Sequence, residues 1–250
     1  MCRHLAYLGP PTTLSGLVLE PPHGLLRQSY APLSMRGGGT VNADGFGVGW
    51  YPDAGDGTPV RFRSAGPLWS NPAFADLARV TSTSAALAAV RSATVGMPVT
   101  AEAAAPFAEG RFLFSHNGVV PGWPHAVAGL AAALPVTDLI TLDAPTDAAL
   151  LWALVRHRLR AGKDGGDALA DVVADVAAAA PGARLNLLLT DGATIWGTAW
   201  DHALSVWTPP GRAFVASEPF DADPGWVGVP DRHLVVARPG GHHLIPLGNP

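Results

Sequence analysis

Four short stretches of this chain carry side chains that could do chemistry together. The first is the N-terminus, Met1-Cys2-Arg3-His4. If an aminopeptidase removes Met1, the only cysteine of the chain becomes the mature N-terminus, with a thiol and a free α-amine on one carbon. An ordinary thiol titrates near ~8.5 and an α-amine near ~7.7–8.0, so near neutrality part of the amine is unprotonated and can take the thiol proton. That pairing is a nucleophile with its own base. The second stretch is Arg91-Ser92-Ala93-Thr94, at the end of an apolar run. An arginine there can clamp a carboxylate through two parallel hydrogen bonds. The third is Ser115-His116-Asn117-Gly118-Val119. Asparagine supplies an NH₂ donor, and the glycine lets a backbone N–H approach a ligand with no Cβ in the way. Two such donors form an oxyanion hole, worth roughly 2.7–4 kcal/mol each. The fourth is Thr146-Asp147, a helix cap or a carboxylate for a substrate's ammonium group. Singly, each has a plainer reading: a residue near a start codon, a surface ion pair, a strand-end turn and a cap.

Together the four match one substrate class. A γ-glutamyl amide has an α-carboxylate for Arg91, an α-ammonium for Asp147 and a scissile amide. The amide needs a nucleophile, Cys2, and oxyanion donors, Asn117 and Gly118. This is acyl transfer through a thioester, followed by attack of water.

Something must hold these stretches in place. With 250 residues, 48% of them hydrophobic, the chain can bury a sizeable core, and one domain spanning residues 1–250 is expected. Gly and Pro are abundant (29 and 24), which indicates many loops. Net charge is −4 and the single lysine is Lys163, so no basic stripe marks a nucleic-acid partner. One cysteine excludes an internal disulfide framework and fits a reducing cytoplasm. No signal-peptide core or 18-residue apolar run is present, so no membrane association is expected.

Strands are expected over residues 2–9, 45–51, 60–63, 86–91 and 111–115, the first ended by Gly9-Pro10-Pro11. Helices are expected over 72–81, 124–134, 147–160 (capped by Thr146) and 167–180. A long irregular stretch, Glu20 to Asp44, contains Gly37-Gly38-Gly39 and is long enough to be functional. The alternating glycines of Gly45-Phe46-Gly47-Val48-Gly49 suggest close approach of another backbone or a ligand. Strands 184–190 and 194–200 flank Asp191-Gly192, a hairpin signal. Strands over 203–208, 212–217 and 233–238 follow, then a Gly/Pro/His tail. Strands, two helices and antiparallel strands imply an α+β fold with two sheets and helices outside.

The ordered set Met1-Cys2, Asn42-Ala43-Asp44-Gly45-Phe46-Gly47, Arg91-Ser92-Ala93-Thr94, His116-Asn117-Gly118, Thr146-Asp147 and Ala216-Ser217-Glu218-Pro219 resembles the class II glutamine amidotransferase domain. That family belongs to the N-terminal-nucleophile hydrolases. The resemblance implies a four-layer αββα sandwich. It also implies Cys2 as nucleophile, Asn117 and Gly118 as oxyanion hole, and Arg91 and Asp147 as glutamyl anchors. Thr94 and His116 are implied as further substrate contacts. Val95 departs from synthase-linked relatives, which tend to carry histidine there. The opening Met1 to Leu5 and the run Thr94 to Thr100 look closer to one branch, the stand-alone γ-glutamyl hydrolases of ergothioneine biosynthesis. That branch implies cleavage of γ-glutamyl-hercynylcysteine sulfoxide, a small-molecule substrate, with no cofactor and no metal. The absence of a synthase domain within the chain fits a hydrolase that works in water. The leaving portion would carry a trimethylammonium, which Trp or Tyr faces attract. Trp69, Trp123 and Trp226 lie in loops and are available for it.

Two other readings stay open. One is a glutaminase subunit that passes ammonia to a separate synthase. The other treats Cys2 as a redox or metal thiol, for which His242-His243 provide an incomplete ligand set.

Overall fold

Along residues 5–8 the side chains alternate between two apolar environments. Leu5 and Tyr7 pack with Leu14, Phe46 and Phe74, whereas Ala6 and Leu8 pack with Leu188, Ile195 and Val235. A strand buried on both faces belongs in the middle of a layered structure. A computed structural model describes residues 2–34, 41–53 and 56–248 of the chain. Met1 and Gly37-Gly38-Gly39 lie outside the described residues.

The strands are β1 (Arg3–Thr13), β2 (Phe46–Trp50), β3 (Val60–Ser64), β4 (Ser82–Val90), β5 (Phe107–Glu109), β6 (Phe112–Val119), β7 (Arg184–Thr190), β8 (Ile195–Ala199), β9 (Ser205–Trp207), β10 (Ala213–Ala216), β11 (Val227–Gly228), β12 (His233–Arg238) and β13 (Gly241–Pro246). The helices are α1 (Leu14–Val18), α2 (Leu25–Gln28), α3 (Pro72–Val80), α4 (Ala128–Ala132), α5 (Val136–Ile140), α6 (Asp147–Arg160) and α7 (Gly165–Ala179).

Among the described residues the strands form two antiparallel sheets, of order β11-β9-β10-β1-β4-β2-β3 and β13-β12-β8-β7-β6-β5. Helices α1 to α3 cover the outer face of the first sheet, and α6 and α7 cover the second. The sheets face each other through Ala6, Leu8, Leu87, Leu113, Leu188 and Val215. Leu185, Leu187 and Leu189 point the other way, onto Leu150, Leu154, Leu169 and Val172 of the helices. Each such leucine, removed from water, contributes roughly 1.5–3 kcal/mol. The layering is α, β, β, α, as expected.

Thr146 accepts from the Ala149 N–H at 3.2 Å and starts α6 where its sequence calls for a cap. Leu150, Leu151, Leu154 and Val155 are all buried. Three expectations need correction. Strand β1 does not stop at Gly9-Pro10-Pro11 but continues to Thr13. Its pairing with β4 breaks register between Leu8 and Thr12, so the prolines sit where the ladder is interrupted. The helix expected over 124–134 is a 3₁₀ turn followed by the five-residue α4. Within the Gly/Pro/His tail, Gly241–Pro246 is strand β13, paired along β12 at the sheet edge.

The glycines of β2 are explained by backbone and core packing. A Cβ on Gly47 would stand 2.4 Å from the Ala105 carbonyl oxygen, and one on Gly49 would stand 2.8 Å from the Leu113 methyls.

Candidate active site

Cys2 sits just before β1 and is half-buried. Its Sγ donates weakly to the Ser92 carbonyl at 3.8 Å. Among the described residues no histidine or carboxylate lies within hydrogen-bonding distance of that sulfur, so no side-chain base is in place for it. Pairing of β1 with β4 sets Arg3 opposite Val90 and so brings Cys2 beside Arg91. Cys2, Arg91, His116 and Ala148 line one cavity of about 30 Å³, enough for a single water molecule.

Arg91 is 8% exposed, and its Nη1 donates to the carbonyls of Pro98 at 2.8 Å and Asp44 at 3.4 Å. No carboxylate pairs with it among the described residues. Asp44 fixes the same segment from the other side. Its Oδ2 accepts from the Ala93 N–H at 2.8 Å, its N–H donates to the Arg91 carbonyl, and the Arg91 N–H donates to Gly45. The motif Asn42 to Gly47 is therefore a brace for the Arg91 loop. Asn42, fully buried, ties that brace to residues 28 and 29.

Asp147 is 7% exposed at the first position of α6. Its Oδ2 accepts from the Val120 N–H at 3.2 Å and its Oδ1 from the Ala148 N–H at 2.8 Å. No cation pairs with it among the described residues. A buried guanidinium that meets only carbonyls and a buried carboxylate that meets only N–H groups each retain charge for a ligand. Arg91 and Ala148, the residue after Asp147, line the same cavity as Cys2.

Asn117 and Gly118 lie inside β6, in register with Asn186 and Leu185, and not in a turn beyond the strand. Asn117 is fully buried, and its Nδ2 donates to the Ser217 hydroxyl at 3.1 Å, which leaves its second N–H for another acceptor. A Cβ on Gly118 would stand 1.8 Å from the Arg184 carbonyl oxygen and 2.5 Å from His116 Nε2. Close approach of β7 thus demands glycine here whatever a ligand requires. His116 Nε2 lies 3.0 Å from the same Arg184 carbonyl, so the ring is held by β7.

Thr94 is exposed and lines a second cavity of about 430 Å³ with Met97, Val120, Trp123 and Pro145. Val95 stands at its rim, fully exposed. Of the three tryptophans singled out, Trp123 lines this cavity. Trp226 packs among Trp207, Phe214 and Phe220, with centroids 5.0–6.4 Å away. Trp69 stands edge-on to Tyr30 at 5.9 Å.

Two groups of residues have roles that sequence reasoning did not assign. His4, fully buried, is pulled well below the usual imidazole range by burial and by His116, His202 and Arg3; it is a neutral ring, with Nδ1 3.2 Å from Ser115 Oγ. Ser217 accepts from the His4 N–H at 3.0 Å and returns its own N–H to the His4 carbonyl. Ser217 therefore joins Asn117 to β1, the strand that follows Cys2. Glu218 and Arg3 form a buried pair behind Cys2. Ser217 and Glu218 belong to a quoted motif, but nothing local in Ala216-Ser217-Glu218-Pro219 reveals partners over 200 residues away.

Substitution of Arg91 and Asp147 separates ligand contacts from structural ones. Arg91→Lys should raise KM for every γ-glutamyl substrate by roughly 10–100-fold, because lysine cannot reproduce a planar two-point clamp. Asp147→Asn should cost substrates with a free α-amine more than those without one. An asparagine can accept just one of the Val120 and Ala148 N–H bonds, and that structural cost falls on all substrates alike. Steady-state kinetics with a γ-glutamyl amide and its des-amino analogue decide the matter: equal losses would make Asp147 a helix-start residue only.

Residues 13–210 match the family model described as glutamine amidotransferases class-II. The chain is 43% identical over 247 residues to the gamma-glutamyl-hercynylcysteine sulfoxide hydrolase of Mycolicibacterium smegmatis, covering 99% of this chain and 100% of that protein. A glutamine aminotransferase class-II domain protein from Silicibacter pomeroyi has a similar structure, with a TM-score of 0.69 at 23% identity, covering 99% of this chain and 100% of that one. The glutamine phosphoribosylpyrophosphate amidotransferase of B. subtilis gives a TM-score of 0.70 at 14% identity, over 99% of this chain and 49% of that one. At those identities the two structures speak to fold alone. No helix among the described residues is long and apolar enough to cross a membrane.

Proposed function

Since this chain belongs to the class II glutamine amidotransferases, we propose that it is a γ-glutamyl amidohydrolase. Its proposed substrate is γ-glutamyl-hercynylcysteine sulfoxide, which it cleaves to glutamate and hercynylcysteine sulfoxide. The observation that carries the reading is the pair of buried, mutually unneutralised charges. Arg91 suits the α-carboxylate of a glutamyl group and Asp147 its α-ammonium.

In this reading Met1 is removed and the α-amine of Cys2 takes the thiol proton. The thiolate attacks the γ-carbonyl carbon, forming the C–S bond. The tetrahedral oxyanion is held by the free N–H of Asn117 Nδ2 and by Gly118 N–H. Collapse breaks the C–N bond, and the leaving amine takes the proton from the α-ammonium. Water, deprotonated by the α-amine, then attacks the thioester and releases glutamate, regenerating the thiol.

The leaving portion accounts for the second cavity. Its 430 Å³ falls in the range of pockets that enclose whole small molecules. Trp123 offers an aromatic face for a quaternary ammonium. Binding energy from that remote group can position the amide, so its loss should lower kcat as well as raise KM. Free glutamine should react at least ~10²-fold more slowly in kcat/KM, roughly 2.7 kcal/mol of transition-state binding. Side-by-side kcat/KM on processed enzyme is the test. Equal values, or faster turnover of glutamine, would favour a subunit that supplies ammonia.

A further inference from the structure

One buried carboxylate outside the anchors collects contacts from three separate parts of the chain. Glu218 is 2% exposed. Its Oε2 accepts the N–H groups of Leu33 at 3.0 Å and Ser34 at 2.6 Å. Its Oε1 lies 3.1 Å from His23 Nε2 and 3.9 Å from Arg3 Nε. Arg3, itself fully buried, donates from Nη1 to the Cys2 carbonyl at 3.4 Å and from Nη2 to the Ser34 carbonyl. Glu218 thus holds the segment 23–34 by two backbone N–H groups. Through Arg3 it also holds the backbone of the residue that carries the thiol. The adjacent Ser217 binds both Asn117 and His4. One dipeptide at the end of β10 therefore joins the candidate nucleophile, an oxyanion donor and the segment 23–34.

We propose that Glu218 is a positioning residue: it locks the 23–34 segment and the Cys2 backbone into one unit through Arg3, so that seating of the segment sets the line of attack of the thiol. This rests on the reading of Cys2 as nucleophile. Glu218 touches no reacting atom. It acts by restricting where Cys2 can stand, and a misplacement of about 1 Å in a nucleophile can cost ~10²-fold in rate. Glutamine at 218 keeps the volume but carries no charge for Arg3, and with its oxygen on the Leu33 and Ser34 N–H groups its NH₂, which cannot accept, replaces the oxygen that faces His23 and Arg3.

The test uses full-length processed enzyme, with Cys2 titrated by a thiol alkylating reagent so that rates are expressed per reactive thiol. Glu218→Gln should lower kcat by ~10²-fold per titrated thiol with KM nearly unchanged, and tryptic cleavage after Arg27 should quicken. A second variant guards against misfolding. Leu33 is 81% exposed, so Leu33→Pro deletes one N–H donor to Glu218 and leaves the buried pair untouched. It should shift kcat and cleavage the same way, by less. Unchanged kcat per thiol in Leu33→Pro, or faster cleavage in Glu218→Gln without a fall in kcat, overturns the proposal. A Cys2→Ala control that still hydrolyses would instead overturn the nucleophile itself, so the two failures are distinguishable.

Discussion

Cys2→Ala should abolish hydrolysis, lowering kcat by ~10⁴-fold or more, because no other group can form the thioester. The fold should survive. Cys2 precedes β1, and the only hydrogen bond of its side chain among the described residues is a long contact with the Ser92 carbonyl. A thiol that donates at 3.8 Å contributes little to stability. Retention of Met1 should be nearly as damaging. An acylated Cys2 nitrogen cannot accept a proton, and no side chain among the described residues stands ready to replace it at the sulfur. The paired measurement is intact mass and turnover on the same preparation. Full activity in protein whose mass still includes Met1 would contradict the N-terminal base.

Asn117→Ala carries the second large effect, a fall in kcat of roughly 10²–10³-fold with a modest change in KM, since the donor acts mainly on developing negative charge. The structure adds a way to separate that from damage to the strand. Asn117 binds Ser217 Oγ, which also accepts the His4 N–H. Loss of the amide leaves the Ser217 hydroxyl with its backbone donor, so the stability cost should stay within about 1–3 kcal/mol, the price of an unmade buried hydrogen bond. Thermal denaturation beside steady-state kinetics reads both. An unchanged kcat would make Asn117 a link between β6 and Ser217 and nothing more.

Much of this was legible in the residues because it is local. Asp191-Gly192 announces the β7–β8 hairpin, and Thr146 announces the start of α6. The four chemical stretches could be grouped because a γ-glutamyl amide needs all of them at once. What stayed hidden depends on contacts between distant segments. Nothing near Gly118 says that the Arg184 carbonyl will lie where its Cβ would be. Nothing near Pro10 and Pro11 says that β1 can carry them across a break in register. Residues 241–246 read as a tail because Gly, Pro and His are poor strand formers, yet an edge strand tolerates them when it pairs on one side only. The Arg3–Glu218 pair spans nearly the whole chain, and a lone arginine or glutamate gives no hint of its partner.

The covalent intermediate is the most direct point of test. Processed enzyme is mixed with the γ-glutamyl substrate, quenched in acid within the first turnover, and digested for mass analysis of the N-terminal peptide. The expected result is a peptide that begins at Cys2 and carries one glutamyl group as a thioester, absent in Cys2→Ala and longer-lived when attack by water is slowed. Steady turnover with no adduct on Cys2 at any quench time, or an adduct on another residue, would contradict the mechanism.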